Sequence, residues 1–331
     1  MDLSTRYLGL ILENPLVPSA SPATESLDGL KRLEDAGAAA VVLPSLFEEQ
    51  LRVDERSLRH WVSRGSESYA ESLSYLPVPE DFALAPDQHL ERVRKAKESL
   101  GIPVIASLNG ETPGGWTAYA EKLAQAGADA LELNVYRVAA DPDVLGEHVE
   151  EDALTVVREV RGRIKVPLAV KIGPYYSSLA NMASRLVASG ADGLVLFNRF
   201  YQPDVDLETL EVRSRLLLSG PQAQRLPLTW IALLHGKLRG ASLAATGGVA
   251  DHEDALKMLM VGADAVMMAA ELLRKGPGHV KTVLEGLKRW MEAHEYASVA
   301  QLKGSMSQRA CADPAAFERA NYVKTLSGYH L

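Results

Sequence analysis

The sequence predicts an α/β fold of the (β/α)8 TIM-barrel class, with insertions at the C-terminal mouth of the barrel. A Gly-Ala phrase that leads into a buried apolar run returns four times, at Gly37, Gly127, Gly190 and Gly262. Apolar segments of a second kind lie between these copies. The two kinds alternate strictly and total eight, which favours a closed barrel over a doubly wound sheet.

Each Gly-Ala phrase has the pattern of a helix C-terminus closed by glycine, a short loop and a buried strand. The four copies are Ala36–Leu43, Ala126–Leu133, Ser189–Leu196 and Val261–Met268. The four segments of the second kind are Leu16–Ala20, Ile102–Leu108, Val166–Ile172 and Ala241–Gly247. Each pair of segments therefore forms two successive strands of one parallel sheet.

The remaining segments complete the order of elements. The alternating residues Leu3–Leu12 predict a short hairpin, and a helix is expected at about 26 to 37. Near the end of the barrel, Asp251 is the expected cap of a helix that stops at Gly262. We expect residues 1–331 to form one domain, with a helical tail from about 296 that makes packing or oligomer contacts and is helical at 314 to 325.

Two insertions interrupt the regular spacing, at residues 46 to 86 and 199 to 228. Both follow predicted strands of the Gly-Ala kind, so both leave from the side of the barrel where its strands end. Long connections at that position often cover a site. We therefore expect both insertions to act as lids over the mouth.

Composition excludes several classes of function. The chain carries a net charge of −8, which disfavours nucleic acid and anionic membranes as partners. It lacks the run of about 18 apolar residues that a membrane span needs, and its first residues lack the pattern of a signal peptide. The single cysteine, Cys311, and the absence of metal-binding histidine spacings predict neither a disulfide nor a metal site. A cytoplasmic protein is expected.

The ends of parallel barrel strands meet at one mouth, where reactive side chains gather. The residues at the predicted ends are Ser19, Ala20, Ser21, Pro44, Ser45, Asn109, Asn134, Tyr136, Arg137, Lys171, Asn198, Arg199, Gly247, Gly248, Ala269 and Ala270. Lys171 is the most informative, because it is charged and lies in the apolar strand Val166–Ile172. A lysine in that place must be paired or functional to offset its loss of hydration, unless it reaches past the strand end into solvent.

The pair Gly247-Gly248 ends a predicted strand just before the helix capped by Asp251. Backbone N–H groups of such a turn, together with a helix N-terminus, form a place for a phosphate group. A Gly-Gly pair by itself fits an ordinary tight turn equally well. The chain has no Gly-x-Gly-x-x-Gly fingerprint, so the pattern favours one phosphate over a dinucleotide.

Six phrases, in order along the chain, resemble the FMN-dependent dihydroorotate dehydrogenase family, and the resemblance runs from Leu8 to about Pro277. The phrases are Asn14-Pro-Leu-Val-Pro-Ser-Ala-Ser21, Glu132-Leu-Asn-Val135, Val166-Pro-Leu-Ala-Val-Lys-Ile-Gly-Pro-Tyr175, Leu218-Ser-Gly-Pro221, Thr246-Gly-Gly-Val249 and Gly262-Ala-Asp-Ala-Val-Met-Met-Ala-Ala270. The resemblance implies noncovalent FMN as the cofactor, and it implies a homodimer.

The resemblance also implies roles for single residues. Residues implied to approach the phosphate and ring edge with their backbone are Gly220, Gly247, Gly248, Ala269 and Ala270. Ser19, Ala20 and Ser45 are implied to lie beside the flavin, and Asn134 and Asn198 to hold flavin or substrate. Lys171 is implied to face the N1 side of the flavin, where a fixed cation stabilises the negative charge of the reduced ring.

The chain departs from the family in the residues implied to contact substrate. Pro44-Ser45 stands where the family has Lys-Ser, so one cation is missing, and the family's asparagine after strand two is not visible in Ser72–Pro79. The family's Cys or Ser base after strand four is replaced by Tyr136 or Arg137. Tyrosine is a poor base without a nearby cation, because its ordinary pKa is near 10.

Three functions remain open at this point. The first is an FMN-dependent oxidoreductase that acts on dihydroorotate or on a related small substrate, with Lys171 and Tyr136 as its catalytic residues. The second is a Schiff-base lyase that uses Lys171. The third is a flavin-binding or electron-transfer subunit without substrate chemistry of its own, which the missing base favours.

Overall fold

A computed structural model describes residues 1–51, 86–199, 204–208, 210–213, 217–238, 240–314, 318 and 327–328. It confirms the predicted (β/α)8 barrel, with eight parallel strands in one sheet and helices around it. Strands β1 (Thr5–Tyr7) and β2 (Leu10–Leu12) form the predicted N-terminal hairpin. The barrel strands are β3 (Leu16–Pro18), β4 (Val41–Phe47), β5 (Val104–Asn109), β6 (Ala130–Asn134), β7 (Leu168–Ile172), β8 (Gly193–Leu196), β11 (Ser242–Thr246) and β12 (Ala265–Met268).

The sheet order is β3-β12-β11-β8-β7-β6-β5-β4, and a hydrogen bond of 3.1 Å from Ala39 N to Leu16 O links its two ends. The helices are α1 (Leu27–Asp35), α2 (Pro86–Ser99), α3 (Ala118–Gln125), α4 (Gly146–Arg163), α5 (Leu179–Ala188), α6 (Arg225–Leu234), α7 (His252–Val261), α8 (Ala270–Lys275), α9 (His279–Ala293) and α10 (Val299–Leu302). The predicted ends of α7 are confirmed, because the Asp251 side chain caps its start and Gly262 ends it at φ +116°.

The strands carry two cores because successive side chains point to opposite faces. In β6, Leu131 and Leu133 pack outward against the helices, while Ala130 belongs to the core inside the barrel. Tyr7 and Leu12 of the hairpin join this inner core and close the N-terminal end of the barrel. The hairpin therefore covers the N-terminal end of the barrel, and the cavity at the strand ends opens at the opposite, C-terminal mouth.

In three of the four Gly-Ala phrases, an aspartate side chain connects the phrase to the strand before it. Asp129, Asp192 and Asp264 each accept a hydrogen bond from the backbone of the preceding strand of the second kind. The donors are Val104 N, Leu168 N and Leu243 N, at distances of 2.7, 2.8 and 2.8 Å. The first copy has alanine at this place and keeps only the backbone bond, from Ala39 N to Leu16 O, which the other three copies also make from their aspartate N–H. The repeat is thus a device that fixes the register of adjacent strands.

The first predicted insertion falls largely on residues 52–85, which lie outside the described residues. In the second, β9 (Asp204–Asp206) and β10 (Glu211–Arg213) form an antiparallel hairpin, and α6 begins before the predicted end of the insertion. Most of the tail predicted to be helical at 314 to 325 also lies outside the described residues. The two lids and the helical tail remain predictions.

Within the described ranges, no helix has the length and apolar character needed to cross a membrane. The same residues contain no group of three or more His, Cys, Asp or Glu side chains placed to hold a metal ion.

Candidate functional site

One cavity of about 250 Å³ opens at the C-terminal ends of the strands and brings together most of the predicted site residues. The predicted residues that line it are Ser19, Ala20, Ser21, Lys171, Asn198, Arg199, Gly247, Gly248, Ala269 and Ala270. They come from β3, β7, β8, β11 and β12 or from the residues directly after these strands. Closure of the barrel thus joins residues that are as much as 251 positions apart in the sequence.

Lys171 lies at the inner end of this cavity and is paired. Its Nζ is 3.4 Å from Oε1 of Glu132 on the neighbouring strand β6 and 3.4 Å from Oγ of Ser19. The side chain of Lys171 is 10% exposed and that of Glu132 only 1%. Burial weakens screening by water, so the two charges interact strongly and hold the lysine in place.

Glu132 lies inside the barrel. Burial, followed by the nearby charges of Glu132 and Asp264, raises the pKa of Tyr7 well above its ordinary value. Tyr7 therefore stays neutral beneath the pair. Among the described residues, Glu132 Oε2 has no hydrogen-bond partner.

Asn134 is two residues beyond Glu132 and lies beside Lys171 on β7 and Asn109 on β5 in the strand register. Asn134 is buried, and within the described part of the chain its Oδ1 atom has no hydrogen-bond partner. Buried polar atoms are usually satisfied, so an amide oxygen of this kind at the end of a barrel strand is placed to accept a hydrogen bond from a ligand.

The Gly247-Gly248 turn has the backbone conformation that the sequence pattern requires. Both residues have positive φ, +99° and +78°. A Cβ on Gly247 would meet nothing within 4 Å, whereas a Cβ on Gly248 would lie 2.6 Å from the carbonyl oxygen of Gly220. The turn thus packs against the loop of Gly220 on one side and leaves open space on the other.

Side chains behind the turn hold it in place. Asp254 accepts a hydrogen bond of 3.1 Å from Ala250 N and one of 2.6 Å from Gln224 Nε2. Nε2 of His279 is 2.7 Å from the carbonyl oxygen of Ala250. The turn is therefore held in one conformation, as a backbone anion site requires.

Four residues with implied roles lie outside the lining of this cavity, namely Asn134, Ser45, Gly220 and Tyr136. The hydroxyl of Ser45 is 2.7 Å from that of Ser107 on β5. Gly220 reaches the site through its contact with Gly248. Tyr136 lines a second cavity of about 320 Å³, together with Arg137, Gly173, Tyr175 and Tyr176.

The surroundings of Tyr136 in the second cavity do not favour it as a catalytic base. Arg137 Nη1 donates a hydrogen bond of 2.6 Å to Asp152 on α4, and Lys171 is held by Glu132. The two cations at the ends of β6 and β7, Arg137 and Lys171, therefore already have carboxylate partners. Burial and the nearby Glu150 raise the pKa of the neighbouring Tyr176 to about 12, so this hydroxyl remains a hydrogen-bond donor.

Sequence reasoning missed the role of Glu132. Its signal was present, since a charged residue stood two positions before Asn134 in a strand predicted to be buried, and Lys171 stood in the next strand of the second kind. The pairing itself depends on the register between β6 and β7, which places Asn134 opposite Lys171.

Comparison with known proteins gives a consistent result. A sequence model of the family described as dihydroorotate dehydrogenase matches residues 83–291. A protein of Aeropyrum pernix with the provisional name dihydroorotate dehydrogenase A (fumarate) is 32% identical, covering 62% of this chain and 68% of the relative. The catalytic subunit of dihydroorotate dehydrogenase B (NAD(+)) of Thermoplasma volcanium is 27% identical over 93% of this chain and 99% of the relative.

A chloroplastic dihydropyrimidine dehydrogenase (NADP(+)) of Arabidopsis thaliana is 25% identical, covering 93% of this chain and 77% of the relative. By their names, these three relatives are all dehydrogenases. They give no support to the Schiff-base lyase that the lysine in β7 had left open.

Proposed function

The chain belongs to the dihydroorotate dehydrogenase family, and we propose from this premise that it is an FMN-dependent oxidoreductase. Its substrate is dihydroorotate or a related small molecule that is oxidised at a CH–CH bond. The observation that carries the proposal is the single cavity that joins a buried cation, Lys171, to the glycine turn Gly247-Gly248. A flavin mononucleotide needs a cation near its ring and a backbone anion site for its phosphate.

Three features in the cavity and beside it fit FMN. The Cβ position of Gly247 faces open space, and Asn134 Oδ1 is buried without a partner among the described residues. No Asp or Glu side chain is part of the described lining, so an anionic ligand meets no like charge there.

These features support the roles that the resemblance implies for the residues in and beside the cavity, whereas the role of Ser45 rests on the resemblance alone. The backbone of Gly220, Gly247, Gly248, Ala269 and Ala270 would hold the phosphate. Ser19, Ala20, Ser45, Lys171, Asn134 and Asn198 would surround the ring and the substrate.

The chemistry that FMN would supply when bound is to accept a hydride from a substrate carbon. The residues of the chain prepare the site for this chemistry. Lys171 holds a positive charge at a buried position, and Glu132 and Ser19 fix the place of its ammonium group. Asn134 and Asn198 offer neutral donors and acceptors that orient a planar ring.

The proton that leaves the neighbouring substrate carbon needs a base, and Tyr136 is the proposed one. Tyr136 lies in the second cavity, and the neighbouring Arg137 is bound to Asp152. We therefore expect Arg137 to activate the Tyr136 hydroxyl only weakly as a base. General-base catalysis contributes typically about 10²–10⁴-fold, so oxidation of dihydroorotate is expected to be slower than in a family member with Cys or Ser by a factor on that scale.

One experiment tests the cofactor and the reaction in sequence. Acid extraction of the purified protein should release FMN, and anaerobic stopped-flow mixing with dihydroorotate should reduce the bound flavin slowly. The Tyr136→Phe variant should lose the part of the rate that rises with pH. Extraction of FAD, or no binding after incubation with excess FMN, would contradict the cofactor. Reduction at tens per second that is insensitive to Tyr136→Phe would contradict the assignment of the base.

A homodimer is part of the same proposal. Leu207 and Leu210, in the turn of the β9–β10 hairpin, are 80% and 82% exposed. Large apolar side chains grouped in an exposed turn support a protein contact at this place.

A further inference from the structure

Arg199 is a second cation at the cavity, in addition to Lys171. It follows β8 directly after Asn198 and lines the cavity. Its Nη1 is 3.3 Å from Oγ of Ser219, and the residue is exposed. Among the described residues it has no carboxylate partner, in contrast to Lys171, which is paired with Glu132.

The position of Ser219 identifies the end of the cavity at which Arg199 lies. Ser219 precedes Gly220, whose carbonyl oxygen packs against Gly248. Arg274 donates to the carbonyl oxygens of Leu218 and Ser219, both at 3.0 Å, and so fixes this loop. The guanidinium of Arg199 is therefore at the end formed by the glycine turn, while Lys171 is at the end formed by β3 and β7.

Lys171 and Arg199 differ in whether a carboxylate partner balances their positive charge. The charge of Lys171 is balanced by Glu132 at 3.4 Å, and the guanidinium of Arg274 is already bound by Glu271 and by the carbonyl oxygens of Leu218 and Ser219. Arg199 keeps a positive charge with a serine hydroxyl as its neighbour, in a cavity whose described lining contains no carboxylate. An anionic group at the glycine-turn end would balance this charge and accept two parallel hydrogen bonds from the guanidinium.

We propose that Arg199 binds the phosphate group of FMN, adding a charged side-chain contact to the backbone N–H groups of the Gly247-Gly248 turn. This inference rests on the proposed function, because it requires FMN in the cavity. It goes beyond that function by giving the chain a phosphate ligand that none of the glycine-turn motifs supplies.

The test compares FMN with riboflavin, which has the same ring and lacks the phosphate. Dissociation constants for both are measured by flavin fluorescence titration for apoprotein of the wild type, Arg199→Ala and Arg199→Lys. Arg289→Ala is the matched control, since Arg289 is an exposed arginine on α9 away from the cavity. Circular dichroism of each variant verifies the fold.

The expected result is that Arg199→Ala weakens FMN binding about tenfold and leaves riboflavin binding unchanged. Arg199→Lys should fall between wild type and Arg199→Ala, because it keeps the charge and loses the bidentate geometry. Arg289→Ala should bind both flavins like the wild type.

Two results would overturn the inference about Arg199 without contradicting the proposed function. One is unchanged FMN affinity in Arg199→Ala while the wild type binds FMN tightly. The other is an equal loss for FMN and riboflavin, which would place Arg199 on the ring or in the fold. A wild-type protein that binds neither flavin would contradict the proposed function itself, and the inference with it.

Discussion

At the scale of single residues, the site depends on how buried charge is balanced. Lys171 and Glu132 are both buried in the barrel interior and are each other's closest charged partners. A buried pair of this kind adds little net stability, but removing one member leaves an isolated charge at a high cost. The pair is therefore better understood as a way to keep a cation at a fixed place inside an apolar barrel.

Replacing Lys171 and replacing Glu132, each in a separate variant, should move the reduction potential of bound FMN in opposite directions. Lys171→Met removes the cation near the reduced ring, so the potential should fall. Glu132→Gln leaves the cation uncompensated, so the potential should rise. One charge-assisted contact is worth about 1.5–3 kcal/mol, which corresponds to about 30–60 mV for two electrons. Equilibrium titration against reference dyes measures the potential.

The double variant Lys171→Met with Glu132→Gln is the control, because it removes both charges and should lie close to the wild type. Shifts of the same sign in the two single variants would show that loss of structure, rather than charge, governs the potential. Unchanged potentials in both would place Lys171 outside the flavin site.

At the scale of elements, the C-terminal mouth is built from strand ends whose positions are fixed from behind. Asp129, Asp192 and Asp264 tie successive strands together at their beginnings. At the other end of β11, Asp254 and His279 hold the backbone around Ala250. The turns at the mouth can therefore remain free of side-chain contacts on the cavity side while keeping a defined shape.

Gly248→Ala should weaken FMN binding at least tenfold, and Gly9→Ala should not. The two glycines have nearly equal φ, +78° and +79°, so both variants pay the cost of a left-handed alanine, about 1–2 kcal/mol. Only at Gly248 would the new Cβ meet backbone, 2.6 Å from Gly220 O and 2.8 Å from Gln224 N. Thermal melting and FMN titration of both variants separate strain from the shape of the site. Equal FMN affinities for the two variants would contradict the importance of the turn.

At the scale of the whole molecule, surface charge and exposed apolar groups act together. The net charge of −8 opposes association with other acidic surfaces. The exposed leucines at the β9–β10 turn favour burial against a partner surface. In the proposed homodimer, the apolar contact must outweigh the repulsion between two acidic subunits, so association should become tighter as salt screens the charges.

Sedimentation velocity at micromolar concentration should show a species of twice 35.9 kDa. Leu207→Lys combined with Leu210→Lys should lower the dimer fraction, because each lysine would place a strongly hydrated charge in the contact. Leu145→Lys is the matched control, since Leu145 is also exposed, at 60%, and lies just before α4. A single species of 35.9 kDa for the wild type at moderate salt would refute the dimer.

The sequence by itself determined the barrel. The four Gly-Ala phrases, the alternation of two strand types and the caps of α7 are local signals, since each depends on residues a few positions apart. The same locality made the glycine turn readable, because glycine is the residue type that adopts the positive φ of Gly247 and Gly248 at no steric cost. Lys171 could be singled out for the same reason, as a charge within an apolar strand.

Only the tertiary structure decided which side chains meet. The pairing of Lys171 with Glu132 follows from the register of two strands, and the separation of Tyr136 from Lys171 into neighbouring cavities follows from the path of the chain after β6. The contact of Arg199 with Ser219 joins two loops whose intervening residues carry no pattern that predicts it. Contacts of this kind depend on strand register and on the paths of loops in three dimensions, which sequence spacing does not encode.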